Sequence, residues 1–435
     1  MVPSGRTLWL LGITSFVFLF SAAGALAADA VILLLAWIDG RRTRSPSASR
    51  TAPRIAPLGE IADVVVEVRN PTKRRLSLLI TDDLDPALRR LPGRDGSEAW
   101  EAGVRLDIPP AAAVRTRYAM RPRARGFLAM GAIHLRTRSP WGFAWRRKTV
   151  DAAHTIQVQP GIRSLLRDRS GHALRRGLRT AGPRRSRQWG DGREFESLRD
   201  YAEGDDPRIV DWKASAKRRR FVVRNYEAER SQHVVLAIDA GRHMRERLGD
   251  RERVDFALAA GMMLANRARG FGDRVGTMVF DDEIRHLSPP RRSDPAALAR
   301  IFAGVETRPV EPNYPLALAT LSRTFRKRSL VILFCDVIDE AVSRALVTSL
   351  ARIGRAHLPL AVAIRNPALE AAATQPASDE AAVFHRAAAE ELVQSRATTL
   401  QVMRQSGILV VDTPPGDALA RTLDKYVEIK ERGLL

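Results

Sequence analysis

The stretch SLVILFCD, residues 329–336, decides the fold: an unbroken apolar run, rich in branched side chains, that ends on a carboxylate at Asp336. A short run of this kind, with no polar alternation, reads as a strand buried on both faces, as at the centre of a parallel sheet. Similar runs stand at 233–238, 274–280, 358–364 and 408–411. Helical stretches fill the intervals, at 253–269 closed by Gly270, 295–302, 315–326, 340–353, 378–405 and 417–432. Strands separated by helices imply parallel pairing with helices on both faces. Residues 231–435 are therefore expected to form a doubly wound α/β domain.

Ligands of such sheets bind beyond the carboxyl ends of central strands. Asp239 follows the first strand and Asp336 the central one, so two carboxylates are expected at one sheet edge. Together they could hold a hard divalent cation such as magnesium, which takes oxygen ligands.

Upstream of this domain lie RDYAEGDDPRIVDWK (199–213) and FVVRNYEAER (221–230). They resemble the signature of the bacterial domain-of-unknown-function family 58. The resemblance implies a von Willebrand factor A-like domain running to the C-terminus, preceded by an N-terminal anchor and a small β-sandwich. It also implies a membrane protein that cooperates with a MoxR-type AAA+ ATPase in assembling or activating other proteins. No biochemical activity is established for that family.

Von Willebrand A domains that bind metal carry Asp-x-Ser-x-Ser after the first strand, a later Thr and a further Asp. Here the first motif reads Asp239-Ala240-Gly241-Arg242-His243, and the region of the Thr reads Glu311-Pro312-Asn313-Tyr314. Asp239 and Asp336 remain, with Asn313 as a further oxygen donor. This degenerate set is expected to be structural, with no cofactor bound, and Arg242 is expected to bring its guanidinium to the vacant position in place of a metal.

In the signature segment, Asp205, Asp206, Arg208, Asp211, Lys213 and Arg224 mix both signs around Gly204 and Pro207. Such charges either satisfy one another in a loop or pair across an interface. With Trp212, read as a packing anchor, and Arg242 they form the candidate partner-binding set.

The N-terminus is of a different kind. Residues 8–38 are apolar apart from Thr14, Ser15, Ser21, Asp29 and a few glycines. As one helix they would run roughly 46 Å, against a hydrocarbon core of about 30 Å. A helical hairpin within residues 1–40, breaking near Ser21 to Gly24, accounts for the excess, and Asp29 would then need an interfacial place or a partner. A secretory signal ending at Ala25-Leu26-Ala27 is the rival. The apolar run continues past that point, however, and Arg41, Arg42, Arg44 and Arg50 supply the positive flank that stays cytoplasmic. The expected setting is a bacterial inner membrane with the soluble domains in the cytoplasm.

Residues 41–57 read as a linker. Residues 58–160 alternate with period two, as in Val104, Leu106 and Ile108 against Arg105 and Asp107, and turn residues separate the runs, so a small β-sandwich is expected. Residues 161–230 read as a connector: 161–188 hold nine arginines and one acid.

The 435 residues suffice for two or three cores, and 45% hydrophobic with 28% charged residues argues against disorder. The net charge of +22 rests on arginine, since only seven lysines occur. Cys335 is the lone cysteine, so no internal disulfide forms. No phosphate-binding Gly-x4-Gly-Lys-Ser/Thr loop, His-Glu-x-x-His helix or Gly-x-Ser-x-Gly elbow occurs, so the chain is not expected to be the ATPase or any other enzyme. The expected function is a membrane-anchored scaffold. One rival is a metal-dependent adhesion module, and another is a nucleic-acid binder acting through the arginine run. Against the latter, aromatic residues are 6% of the chain and are not interleaved with that run.

Overall fold

The computed structural model describes residues 2–17, 21–91, 103–167, 194–202, 210–227, 232–337 and 340–435. The chain divides into two compact units, Met1–Ser164 and Leu165–Leu435.

The first unit opens with strand β1 (Val2–Pro3) and helices α1 (Gly5–Val17) and α2 (Ala22–Arg42). The helices contact each other, with Ser21 capping α2 by accepting from the Gly24 N–H at 3.2 Å. The Thr14 hydroxyl of α1 donates to the Asp29 carboxylate of α2, giving that charge a partner. Among the described residues, only α2 is long and apolar enough to cross a membrane. Its last turn is tied to the sandwich. Asp39 is fully buried, and its carboxylate accepts from the Ser139 hydroxyl, from the Trp141 N–H at 3.0 Å and from the Phe143 N–H at 3.2 Å.

The remaining strands are β2 (Ser47–Thr51), β3 (Ile55–Pro57), β4 (Ala62–Arg69), β5 (Leu76–Leu84), β6 (Leu88–Leu91), β7 (Val104–Ile108), β8 (Ala113–Pro122), β9 (Gly126–Arg138), β10 (Ala144–Val150) and β11 (His154–Gln159), with α3 (Ile162–Arg167) after them. One sheet runs β1-β10-β9-β11-β3 with β5 and β7 attached, and the other runs β2-β4-β8-β6. Alternate residues of both, such as Val64, Val66 and Val68 of β4 against Ile80, Ile133 and Ile156, fill one core. The period-two reading thus corresponds to a sandwich of two sheets. It begins earlier than expected, because β2 and β3 lie within the stretch read as a linker. Arg50 is correspondingly not a membrane flank: it is buried, pairs with buried Asp82 of β5, and donates to the Gly131 carbonyl at 2.9 Å. A polar composition concealed a strand because its one long charged side chain crosses between the sheets.

The second unit contains the antiparallel pair β12 (Glu194–Asp200) and β13 (Val222–Glu227), with α4 (Trp212–Arg218) between them. Part of the expected connector is therefore ordered structure. The main sheet consists of β14 (His233–Asp239), β17 (Arg274–Phe280), β18 (Ile284–Arg292), β19 (Ser329–Cys335), β20 (Leu358–Ile364) and β21 (Leu409–Thr413). The small ladder of β15 (Arg247–Leu248) and β16 (Arg251–Glu252) stands apart from it. The strand order is β18-β17-β14-β19-β20-β21. Every pairing is parallel except that of β18, an antiparallel edge. That strand was not anticipated. Pro289 and Pro290 argue against a strand interior, and an edge is the place that tolerates them.

The helices are α5 (Arg253–Gly270), α6 (Pro295–Ala303), α7 (Tyr314–Thr324), α8 (Glu340–Ile353), α9 (Pro367–Thr374), α10 (Glu380–Gln405) and α11 (Ala418–Glu431). Leu318 and Leu321 of α7, Leu346 and Leu350 of α8 and Met403 of α10 cover the face that carries Val235, Val331 and Ala361. On the other face α5 comes so close that a Cβ on Gly261 would sit 3.6 Å from Leu236. This is a doubly wound α/β arrangement whose direction of winding reverses between β14 and β19, where a crevice opens at the carboxyl edge.

Candidate functional site

Asp239 ends β14 and is fully buried. Its two oxygens are taken, one by the Tyr314 hydroxyl at 2.7 Å and one by the Gly241 N–H at 2.7 Å. Burial pushes its carboxyl up to about 7 against the pull of those two hydrogen bonds, and the negative charges of Asp336 and Asp281 push the same way. Above it lies a second segment of chain: Arg242 N donates to the Val310 carbonyl at 2.9 Å, and Arg308 N to the Ala240 carbonyl at 2.9 Å. A Cβ on Gly241 would lie 2.9 Å from that Val310 oxygen and 3.0 Å from Pro312 Cδ. The glycine that replaces the first motif serine is thus a packing requirement, since no side chain fits beneath Val310.

Asp336 follows β19 and is gripped from two sides. Arg253, the first residue of α5, is 3% exposed and reaches Asp336 with one guanidinium nitrogen and Glu246 with the other. It also donates to the His243 carbonyl at 2.8 Å. Arg396 of α10 donates to Asp336 at 2.8 Å and to Asp412 at 3.0 Å. Burial opposes the charge on Arg396, but Asp336 and Asp412 outweigh it and hold the guanidinium above its ordinary value. The Val337 N–H completes the set on Asp336 at 2.9 Å. Five charged side chains therefore form one clasp across the ends of three strands: Glu246, Arg253, Asp336, Arg396 and Asp412.

A cleft of about 550 Å³ lies against this clasp, walled by Leu369, Leu392 and Val393 as well as by the charged groups. Arg365 enters it and pairs with Glu370 at 2.9 Å.

The expected site residues are distributed unevenly. Asp239 and Asp336 do stand at the same sheet edge. Asn313 is turned away: its side chain caps α7 by accepting from the Leu316 N–H at 3.0 Å. Arg242 does not fill the position expected of it, because its half-exposed guanidinium pairs with Glu311 and donates to His243 at 3.0 Å. The cations that meet Asp336 are Arg253 and Arg396. His243 is pushed below the usual histidine range by burial and then by Arg242. Asp211 caps α4 through the Ala214 N–H at 3.0 Å. Trp212 is 65% exposed and not packed as an anchor, with its ring edge-on to exposed Phe221 at 6.1 Å. Lys213 is exposed on α4, and Arg224 lies on β13 opposite Leu198. Asp205, Asp206 and Arg208 lie outside the described residues.

Arg253 and Arg396 were missed. For Arg253 a signal exists, since a basic residue in the first turn opposes the helix dipole and so calls for a carboxylate from elsewhere. For Arg396, in the middle of a long helix, there is none.

The donor set does not fit a divalent cation. Both hydroxyl positions are lost, the oxygens of Asp239 are committed to Tyr314 and Gly241, and two arginines occupy those of Asp336. Millimolar magnesium is accordingly expected to leave the melting temperature unchanged in a thermal scan, whereas a magnesium-dependent rise would show an open site.

A family model described as "Protein of unknown function DUF58" matches residues 197–381. This segment belongs to the DUF58 family. The DUF58 segment takes in Asp239, Arg253 and Asp336 but stops short of Arg396 and Asp412, so the clasp closes with residues beyond it. Uncharacterised proteins of Mycobacterium bovis and Mycobacterium tuberculosis are 25% identical over 182 residues, which cover 41% of this chain. The chain spans 56% of the length of those relatives. Among solved structures, the CARDB domain of a Pyrococcus furiosus protein, in complex with di-metal ions, is similar with a TM-score of 0.18 and 9% identity, covering 26% of this chain and 92% of that one. Proximal thread matrix protein 1 of the mussel byssus gives 0.23 and 14%, covering 46% and 45%. Neither score assigns a fold.

Proposed function

We propose that the C-terminal unit is a von Willebrand factor A-like docking module in which an arginine clasp stands where a metal would otherwise be held. On this reading the chain is a non-enzymatic scaffold. It is fixed by α2 to the inner membrane of a bacterium, with both units on the cytoplasmic side, and it works with a MoxR-type AAA+ ATPase in assembling or activating other proteins. The strand order, with one antiparallel edge and aspartates after β14 and β19, supports the von Willebrand A assignment. The membrane setting is supported by α2 and by its basic end, where Arg41 lies 4.1 Å over the Trp37 ring and Arg42 lies 5.1 Å over the Trp141 ring.

The observation that carries the docking role is the commitment of every carboxylate of the clasp to an arginine. Such a network has no group left over to activate a nucleophile. It does present a fixed floor of paired charges beside an apolar wall, which suits recognition of a protein surface.

The test is association of the purified full-length chain in detergent with the ATPase, with and without ATP. Stable association that depends on nucleotide is expected. No association in either state would overturn the partner, and turnover of a substrate by the chain alone would overturn the scaffold.

A further inference from the structure

A second surface, separate from the cleft, lies on the helix layer. Helices α7 and α8 pack side by side and leave a groove of about 650 Å³ between them. Its floor is apolar, formed by buried Leu318 and Ile353. Small side chains line its walls, Ala319 on one side and Ala345 on the other, so another backbone can come close. Three arginines also line it, Arg323 from α7 and Arg344 and Arg352 from α8, and among the described residues no carboxylate does.

The charge continues beyond the groove. Residues 313–358 hold seven basic side chains, the other four being Arg326, Lys327, Arg328 and Arg355. Against them stand three acids, Asp336, Asp339 and Glu340, which fall together before and at the first residue of α8, away from Arg352 and Arg355. Elsewhere in this unit exposed arginines are of both kinds: Arg242 pairs with Glu311, Arg285 with Glu283 and Arg308 with Asp282, whereas Arg245, Arg269 and Arg300 make no ion pair among the described residues. Arg323, Arg326, Arg328, Arg352 and Arg355 make no ion pair among the described residues.

We propose that this groove docks an acidic amphipathic helix of a partner protein, whose apolar stripe enters between α7 and α8 while flanking carboxylates meet Arg323, Arg344 and Arg352. Two parallel ridges with small residues between them accept a third helix at ordinary packing distance, and anchors at i, i+3, i+4 and i+7 would reach the Leu318 and Ile353 floor. Arginine forks match carboxylates in pairs, and charge-assisted bonds of this kind fix register as well as attract. A single nucleic-acid strand is less suited, because it stacks on aromatic rings and none lines the groove among the described residues.

The experiment uses the full-length chain in nanodiscs of zwitterionic lipid. The probe is a fluorescent synthetic helix with leucine at i, i+3, i+4 and i+7 and glutamate on the flanking positions. Fluorescence anisotropy is expected to show binding that weakens as salt rises. Binding should be lost to a peptide of the same composition in scrambled order, and to one with lysine for glutamate. Arg323→Glu combined with Arg352→Glu is expected to weaken binding at least tenfold, while circular dichroism and melting stay as in the parent, since both side chains are exposed. Arg323→Gln with Arg352→Gln gives the same reading if the reversed charges disturb folding. Equal affinity for parent and variants would overturn the proposal. So would failure of the peptide to bind while anionic vesicles or an RNA oligonucleotide bind through the same arginines. None of these readouts involves the ATPase, so the groove and the scaffold reading can fail separately.

Discussion

Arg253→Met is expected to unfold the C-terminal unit at a markedly lower temperature than the parent. The guanidinium is 3% exposed and bridges Asp336, itself 6% exposed at its side chain, to Glu246. Methionine keeps much of the volume but leaves the Asp336 oxygen on that side without a donor. Removing one partner of a buried pair costs about 3–5 kcal/mol, because the other charge stays behind unpaired. With a melting temperature that moves by about 2–4 °C per kcal/mol for a unit of this size, the fall is roughly 6–20 °C. The second variant separates electrostatics from packing. Arg253→Met with Asp336→Asn keeps an acceptor for the Val337 N–H and for Arg396 but no longer buries the stranded charge, so it is expected to be more stable than Arg253→Met alone. A scan by circular dichroism decides. A loss below about 1 kcal/mol, the size of a surface ion pair, would mean that the clasp does not hold the edge together.

The contrast between Arg253 and Arg242 shows what the sequence could and could not reveal. The sheet was legible because burial on both faces leaves a local mark: β14 and β19 are apolar almost throughout, and a carboxylate stops each run. The two aspartates followed from the strands. The cation did not, because Arg242 is near Asp239 in sequence while Arg253 and Arg396 reach Asp336 across 83 and 60 residues. Proximity along the chain favoured the wrong arginine, and only the packing of α5 and α10 selects the others. Strand β18 was hidden for another reason, since prolines that forbid a central strand are allowed at an edge. Strand β2 was hidden because SASRT (47–51) is polar, and the burial of Arg50 depends on Asp82 in the facing sheet.

Asp239 should make the stability of the C-terminal unit depend on pH in a direction opposite to that of an ordinary paired carboxylate. Its folded value is about 7, raised by burial from an unfolded value of 3.8. The folded state therefore binds the proton more tightly than the unfolded state. The contribution is fully present below pH 3.8, declines as the pH rises between the two values, and is gone above 7. At about 1.4 kcal/mol per unit, the decline from 3.8 to 7 is roughly 4 kcal/mol. Asp239→Asn mimics the protonated form. The amide oxygen can still accept from the Gly241 N–H, and the Tyr314 hydroxyl, now facing an amide N–H, can accept instead of donate. The variant is expected to match the parent near pH 4 and to exceed it at pH 8, where the parent holds an unwelcome buried charge. Taking the difference between the two proteins removes the contributions of other groups that titrate in the same range, His243 and His286 among them, whose values lie below the usual one. Urea titrations at pH 4, 6 and 8 give the measurement. A difference that stays flat across that range would show that Asp239 keeps its ordinary acidity, and with it that the Val310 segment does not seal it from water.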